Sequence, residues 1–153
     1  MAIFGTAAAE KPIPSAVGIS LDEAMRVIAA ARKKAEQIGV MQNIAVVDAG
    51  GDLTAFAHMD GAWPGSRDIA INKAYTARAF DMTTEALGKI SQPGEMCYGI
   101  HASNDLRVII FGGGIPLVRN GRVMGAVGVS GGMVPQDIEV AEAGVTAFVN
   151  GSE

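Results

Sequence analysis

Apolar positions along the chain fall into two periods, and the alternation between them outlines the fold. Leu21, Ala24, Met25, Ile28, Ala31, Ala35 and Ile38 recur at helical spacing. Ser20 and Glu23 frame the start as a capping box, and Gly39 supplies the C-terminal stop. Asn43 to Asp48 is a short apolar run, hence a buried strand. Ala49-Gly50-Gly51-Asp52 turns the chain, and Leu53 to Met59 returns with Leu53, Ala55, Ala57 and Met59 on one face and Thr54, Phe56 and His58 on the other. From Ser66 the period becomes helical again, with Ile69, Ala70, Ala74, Ala77 and Phe80 on one arc. Thr83 or Thr84 caps a short helix through Leu87 and Ile90. Residues 92–105 lack clean periodicity and read as loop or broken helix. Leu106 to Phe111 reads as a strand, broken by Gly112-Gly113-Gly114 and resumed from Ile115 to Val118. Asn120-Gly121 is a strong hairpin signal, and Val123 to Ser130 is the return strand. Gly125 and Gly128 inside it predict close approach of another backbone or side chain. A last helix covers Gln136 to Val149.

The order is helix, two strands, helices, three strands, helix. Tight turns between consecutive strands predict an antiparallel sheet, with the terminal helices on one face. The expected class is α/β in the α+β sense, with a central five-stranded antiparallel sheet flanked by helices. A single domain over 20–150 is expected, preceded by a flexible tail over 1–19, where Pro12 and Pro14 favour extended chain.

Composition narrows the function classes. Aromatics are 5% of the 153 residues against 20 glycines, so the core must be built from Ala, Val, Ile and Leu. The net charge of −4 and the isolated cluster Arg32-Lys33-Lys34 argue against nucleic-acid binding. The single cysteine, Cys97, excludes an internal disulfide, and no Cys/His spacing gives a zinc site, so no metal site is expected. No apolar run is long enough to span a bilayer, and the N-terminus lacks the basic start of a signal peptide. A cytoplasmic location without membrane partners is expected. The Ala70, Ala74 and Ala77 stripe, with so few aromatics, predicts a homo-oligomer, dimer or larger.

Three common motifs fail. Gly112-Gly113-Gly114 leads into Ile115-Pro116 rather than a phosphate-binding helix. The glycines from Gly125 to Gly132 have no dinucleotide-binding context. Val129-Ser130-Gly131 has no strand-to-helix elbow around it.

An ordered set of motifs resembles the GlcG/HbpS-like family: Asp48-Ala49-Gly50-Gly51, Met59-Asp60-Gly61-Ala62, Ala70-x-x-Lys73-Ala74-x-Thr76-Ala77, Gly112-Gly113-Gly114-x-Pro116, Gly125 through Gly132, and Gln136-Asp137. The resemblance covers Ser20 to Phe148. It implies a profilin-like fold, homo-oligomeric assembly and, in some members, haem binding or degradation. Other members belong with the catabolism of small organic acids, including unsaturated or halogenated ones. The chain departs from the pattern in two places. His58 stands where arginine is common, and the first helix lacks a histidine able to ligate iron.

The candidate site is the stretch His58 to Phe80. Lys73 lies inside the apolar arc of its helix. Either its stem packs while the ammonium reaches water, or the head enters a pocket and meets an anion. Asp60, one loop away, is the expected carboxylate partner, with Ser66 beside it. His58 is a candidate general acid or base, because imidazole changes charge near neutrality, or a polar strand end. Asp60 is a proton carrier or a turn residue. Met59, Trp63, Ser66, Thr76 and Arg78 complete the expected ligand-binding set, and Arg67 with Arg78 could clamp a carboxylate or lie on a solvated face. Trp63 would cover a ligand or an oligomer contact. His101, Cys97 and Tyr98 are alternative haem ligands or plain loop. Three functions follow: a haem or tetrapyrrole binder, an enzyme acting on a small carboxylate by proton transfer, hydration or dehalogenation, or a structural oligomer.

Overall fold

The computed structural model describes residues 18–151. In chain order it contains α1 (Leu21–Ile38), β1 (Asn43–Asp48), β2 (Leu53–His58), α2 (Ser66–Phe80), α3 (Thr84–Lys89), two single 3₁₀ turns, β3 (Gly114–Arg119), β4 (Arg122–Ser130) and α4 (Val134–Asn150). The strands form one antiparallel sheet in the order β2-β1-β4-β3. The expected tail over 1–19 lies outside the described residues except at its end. There Ile19 is buried, and its backbone N–H donates to Met124 O at 2.9 Å, so the packed domain already includes it.

α1 begins as the sequence predicts. Ser20 Oγ accepts the Glu23 N–H at 3.2 Å, and the Glu23 carboxylate accepts the Ser20 N–H at 2.8 Å. The same carboxylate pairs with Arg119 of β3. Burial pushes the Glu23 carboxyl up, but the Ser20 N–H and the Arg119 guanidinium outweigh it and hold the group below the ordinary glutamate range. Gly39 closes the helix in the left-handed conformation, at φ 71°.

The sheet divides the core into two layers. On one face Val27, Ala31, Val140 and Phe148 of α1 and α4 pack on Ile44, Val46, Leu117, Val127 and Val129. Each buried Val, Leu or Ile contributes about 1.5–3 kcal/mol of transfer free energy. On the other face the fully buried apolar residues of α2 are Ala70, Ala74 and Ala77, packed against Ala45, Val47 and Ala126 with Ile71 and Phe56 at the margin. The helix gains stability from proximity rather than side-chain bulk: a Cβ on Gly128 would lie 2.1 Å from Ala70 O. The close approach read from the strand glycines is therefore that of α2.

The sheet has four strands, not the expected five. Residues 106–111 are apolar enough for a strand but do not pair. Asn104, Asp105 and Leu106 all take positive φ, at 51°, 55° and 62°, which turns the chain out of extended geometry. Beyond them Ile109 N–H donates to Thr76 Oγ1 at 3.0 Å, and that hydroxyl donates to Arg107 O at 3.3 Å. The segment thus spends backbone hydrogen bonds on α2 instead of a neighbouring strand. Sheet bonding begins only at Gly113, whose carbonyl accepts the Val129 N–H at 2.9 Å. No helix among the described residues is long and apolar enough to cross a membrane.

Candidate functional site

Two polar clusters lie at opposite extremes of exposure. The first is centred on Lys73, whose side chain is fully buried. Its ammonium donates to Asp137 Oδ2 at 2.7 Å and to Val129 O at 2.9 Å, and it stands 4.9 Å from the Phe111 ring centroid. Asp137, on the first turn of α4, also accepts the Gly132 N–H at 2.9 Å and the Gln42 side-chain amide at 2.9 Å through Oδ1. Lys73 therefore reaches from the α2 face past the end of β4 to the helix of the opposite face. Glycine permits the passage: a Cβ on Gly113 would lie 2.7 Å from Lys73 Nζ and 2.6 Å from Val129 O. Burial pulls the Lys73 amine below the ordinary lysine range against the pull of Asp137. Burial likewise pushes the Asp137 carboxyl up, opposed by Lys73, Gly132 and Gln42. The expected Lys73–Asp60 contact is not formed. Two motifs of the resemblance, one on α2 and one opening α4, meet here instead.

The second cluster borders an open cleft of about 420 Å³ at the edge of the sheet. β2 and the turn after it contribute Ala57, His58, Met59 and Asp60. α1 contributes Arg32 and Glu36, ion-paired at 2.8 Å, and Met41 completes the wall. His58 and Asp60 are exposed, while Met59 is buried beneath them. Gln42 N–H donates to Met59 Sδ at 3.5 Å, and the Met59 N–H donates back to Gln42 O at 3.1 Å, so the thioether is held by the residue that leads into β1.

His58 is held from behind. Its Nδ1 lies 2.6 Å from Oδ1 of Asn43, the residue directly across on β1 and itself fully buried. Asn43 Nδ2 donates to Trp63 O at 3.0 Å and to Ser66 Oγ at 2.7 Å, and the Ser66 hydroxyl donates to Trp63 O at 2.8 Å. Trp63 contributes its carbonyl although the residue is 71% exposed.

Of the residues predicted from sequence, His58, Met59 and Asp60 come together at this cleft, and Ser66 and Trp63 support it from below. Lys73 and Thr76 are buried elsewhere on α2. Arg78 donates to Ala49 O at 2.6 Å and to Asp81 at 2.5 Å, and with Gly50 and Tyr75 it borders a separate cleft of about 200 Å³. Arg67 lies at the surface, 3.3 Å from Asp68. Cys97, Tyr98 and His101 lie between α3 and β3, away from the cleft lining. Among the described residues no group of three or more His, Cys, Asp or Glu is placed to hold a metal ion. Sequence reasoning missed Arg32, Glu36, Met41 and Asn43. Asn43 carried a signal, a polar residue opening an otherwise apolar strand.

A family model described as "Haem degrading protein HbpS-like" matches residues 19–146. A 15.0 kDa protein of the dhaT-dhaS intergenic region of Citrobacter freundii is 43% identical over 130 residues, 85% of this chain and 92% of that protein. The crystal structure of Klebsiella pneumoniae protein ORFY matches with a TM-score of 0.86 at 39% identity, covering 92% of this chain and 97% of that one. A crystal structure of a PduOC:haem complex matches with a TM-score of 0.82 at 35% identity, covering 86% and 95%.

Proposed function

The chain belongs to the HbpS-like family, and from that premise we propose that it binds haem at the cleft between α1 and the end of β2, with His58 as the ligand to iron. The observation that carries the reading is the exposed imidazole of His58 on the wall of a cleft that also presents Ala57, Met41 and Met59, with Arg32, Glu36 and Asp60 as its charged lining. The donor set fits the group. Imidazole is a common haem ligand, and Ala57, Met41 and Met59 offer apolar contact to a flat macrocycle. Arg32 is the cation available to an acidic substituent, in exchange for Glu36. Haem, when bound, supplies an iron centre for redox or oxygen chemistry. The chain's own part is to fix the imidazole and to cover one face of the ring.

The relatives support this reading to the extent of their names: one structure at 35% identity is a haem complex. Haemin titrated into the apo-protein should give a saturable, stoichiometric Soret shift. His58→Ala should weaken binding at least about tenfold, the lower end of what loss of even an outer-shell partner costs at metal sites, and His101→Ala should leave it unchanged. Unchanged affinity in His58→Ala would remove the assignment.

A second reading has one observation in its favour. His58 and Asp60 share the cleft with Arg32, so a small carboxylate anchored by the guanidinium would lie beside two groups able to move a proton. Incubation of candidate acids in deuterated water, with deuterium uptake at carbon read by mass spectrometry, separates the readings. Uptake that is lost in both His58→Ala and Asp60→Asn would favour the enzyme.

A further inference from the structure

We infer that Asn43 is the positioning residue of the cleft: it holds His58 with the proton on Nδ1, so that Nε2 presents a bare lone pair. The inference starts from Trp63 O, a backbone carbonyl and therefore only an acceptor. Two side-chain donors converge on it, Asn43 Nδ2 at 3.0 Å and Ser66 Oγ at 2.8 Å. Turning the Asn43 amide over would set Oδ1 against that carbonyl, acceptor against acceptor. The amide orientation is therefore fixed by the backbone of the loop after β2. Ser66 reinforces it, since its hydroxyl spends its proton on Trp63 O and uses a lone pair to accept Asn43 Nδ2 at 2.7 Å.

With the amide so fixed, the atom 2.6 Å from His58 Nδ1 is Oδ1, which can only accept. Nδ1 must be the donor. A neutral imidazole carries one N–H, so Nε2 is unprotonated. Asn43 is fully buried and paired on both sides, with His58 of β2 and Ser130 of β4, so its backbone cannot shift to offer another atom. The chain of control runs from a carbonyl at residue 63 through a buried amide to an exposed ring.

The consequence is a preference among ligands. A bare Nε2 takes partners that bring a vacant orbital or an acidic proton: a transition-metal centre such as haem iron, or a carbon acid. It gives nothing to a ligand that can only accept hydrogen bonds. This specifies the ligand class of the cleft and rests on the proposed function only for the identity of the iron ligand.

The test begins with the unmodified protein. With ¹⁵N-labelled histidine, long-range ¹H–¹⁵N correlation at pH 8 reports the tautomer of each ring, and His101→Ala assigns the signals. His58 should show the Nδ1–H pattern. An Nε2–H pattern would overturn the inference without any change at Asn43. Among variants, Ser66→Ala leaves Trp63 O to accept from Asn43 Nδ2 and should keep the tautomer. Asn43→Leu removes the acceptor and should yield a tautomer mixture, with haemin affinity reduced about tenfold. A merely structural Asn43 would lower stability in Asn43→Leu without moving the tautomer, and that result would also overturn it. Haemin failing to bind while the Nδ1–H pattern holds would remove the haem reading and leave this inference standing.

Discussion

The Lys73 cluster draws on the middle of α2 and the His58 cluster on its first residue, Ser66, and they differ in one respect. Lys73 has a carboxylate, a carbonyl and an aromatic face around its ammonium, and its side chain has no exposure. Every strong valence there is satisfied inside the protein. His58 has one nitrogen held by Asn43 and is an exposed residue on the cleft wall. A charge in a core is conspicuous in sequence, yet its chemistry is consumed by the fold. An unremarkable strand-end histidine is exposed on the cleft wall instead.

The contrast can be broken by experiment. Lys73→Met removes a buried cation and leaves Asp137 unpaired, so it should cost about 3–5 kcal/mol in urea denaturation. Folded Lys73→Met protein should bind haemin as the parent does; a selective loss of binding would place Lys73 in the ligand site after all. Lys73→Met/Asp137→Asn removes both charges while an amide oxygen still accepts from Gly132 and Gln42. It should recover more than half of that loss, a non-additivity read in the same denaturation series. His58→Ala should behave in the opposite way. It forfeits one hydrogen bond near solvent, about 1 kcal/mol, and most of the haemin affinity. Smallest is the effect of pH on Glu23, half-buried between the two extremes. Its folded carboxyl lies below the ordinary glutamate range, so its stabilisation is present above that range and lost as pH falls through the folded value. Glu23→Gln should flatten the acid limb of the thermal unfolding curve.

Much of the frame was legible because it is local. Ser20, Glu23 and Gly39 bound α1 through contacts within a few residues, and the hairpin turns at Gly50-Gly51 and Asn120-Gly121 set the pairing of their strands. The segment from Leu106 to Phe111 misled because apolar content does not say where backbone hydrogen bonds go. Thr76, 33 residues from Ile109, decides that. The need of Lys73 for a partner was legible as well, but its partner was not. Asp60 is near in sequence, while Asp137 is 64 residues away and reached only because Gly113 clears the path. Of the predicted site, His58, Met59 and Asp60 were legible from strand alternation and the turn. Arg32 and Glu36 fall outside the apolar stripe of α1, and only the packing of α1 beside β2 brings them to the cleft.

The reach of Lys73 around the end of β4 also bears on how fast the molecule comes apart. It joins the two helical layers that the sheet otherwise keeps separate. The contact closes a long loop of chain and can form only when both layers are docked, so it belongs to the end of folding. Interactions made after the rate-limiting step show up in the escape rate rather than the entry rate. Lys73→Met should therefore shorten the lifetime of the native state far more than it slows refolding, and protease added to the folded protein would report that difference as a shortened half-life.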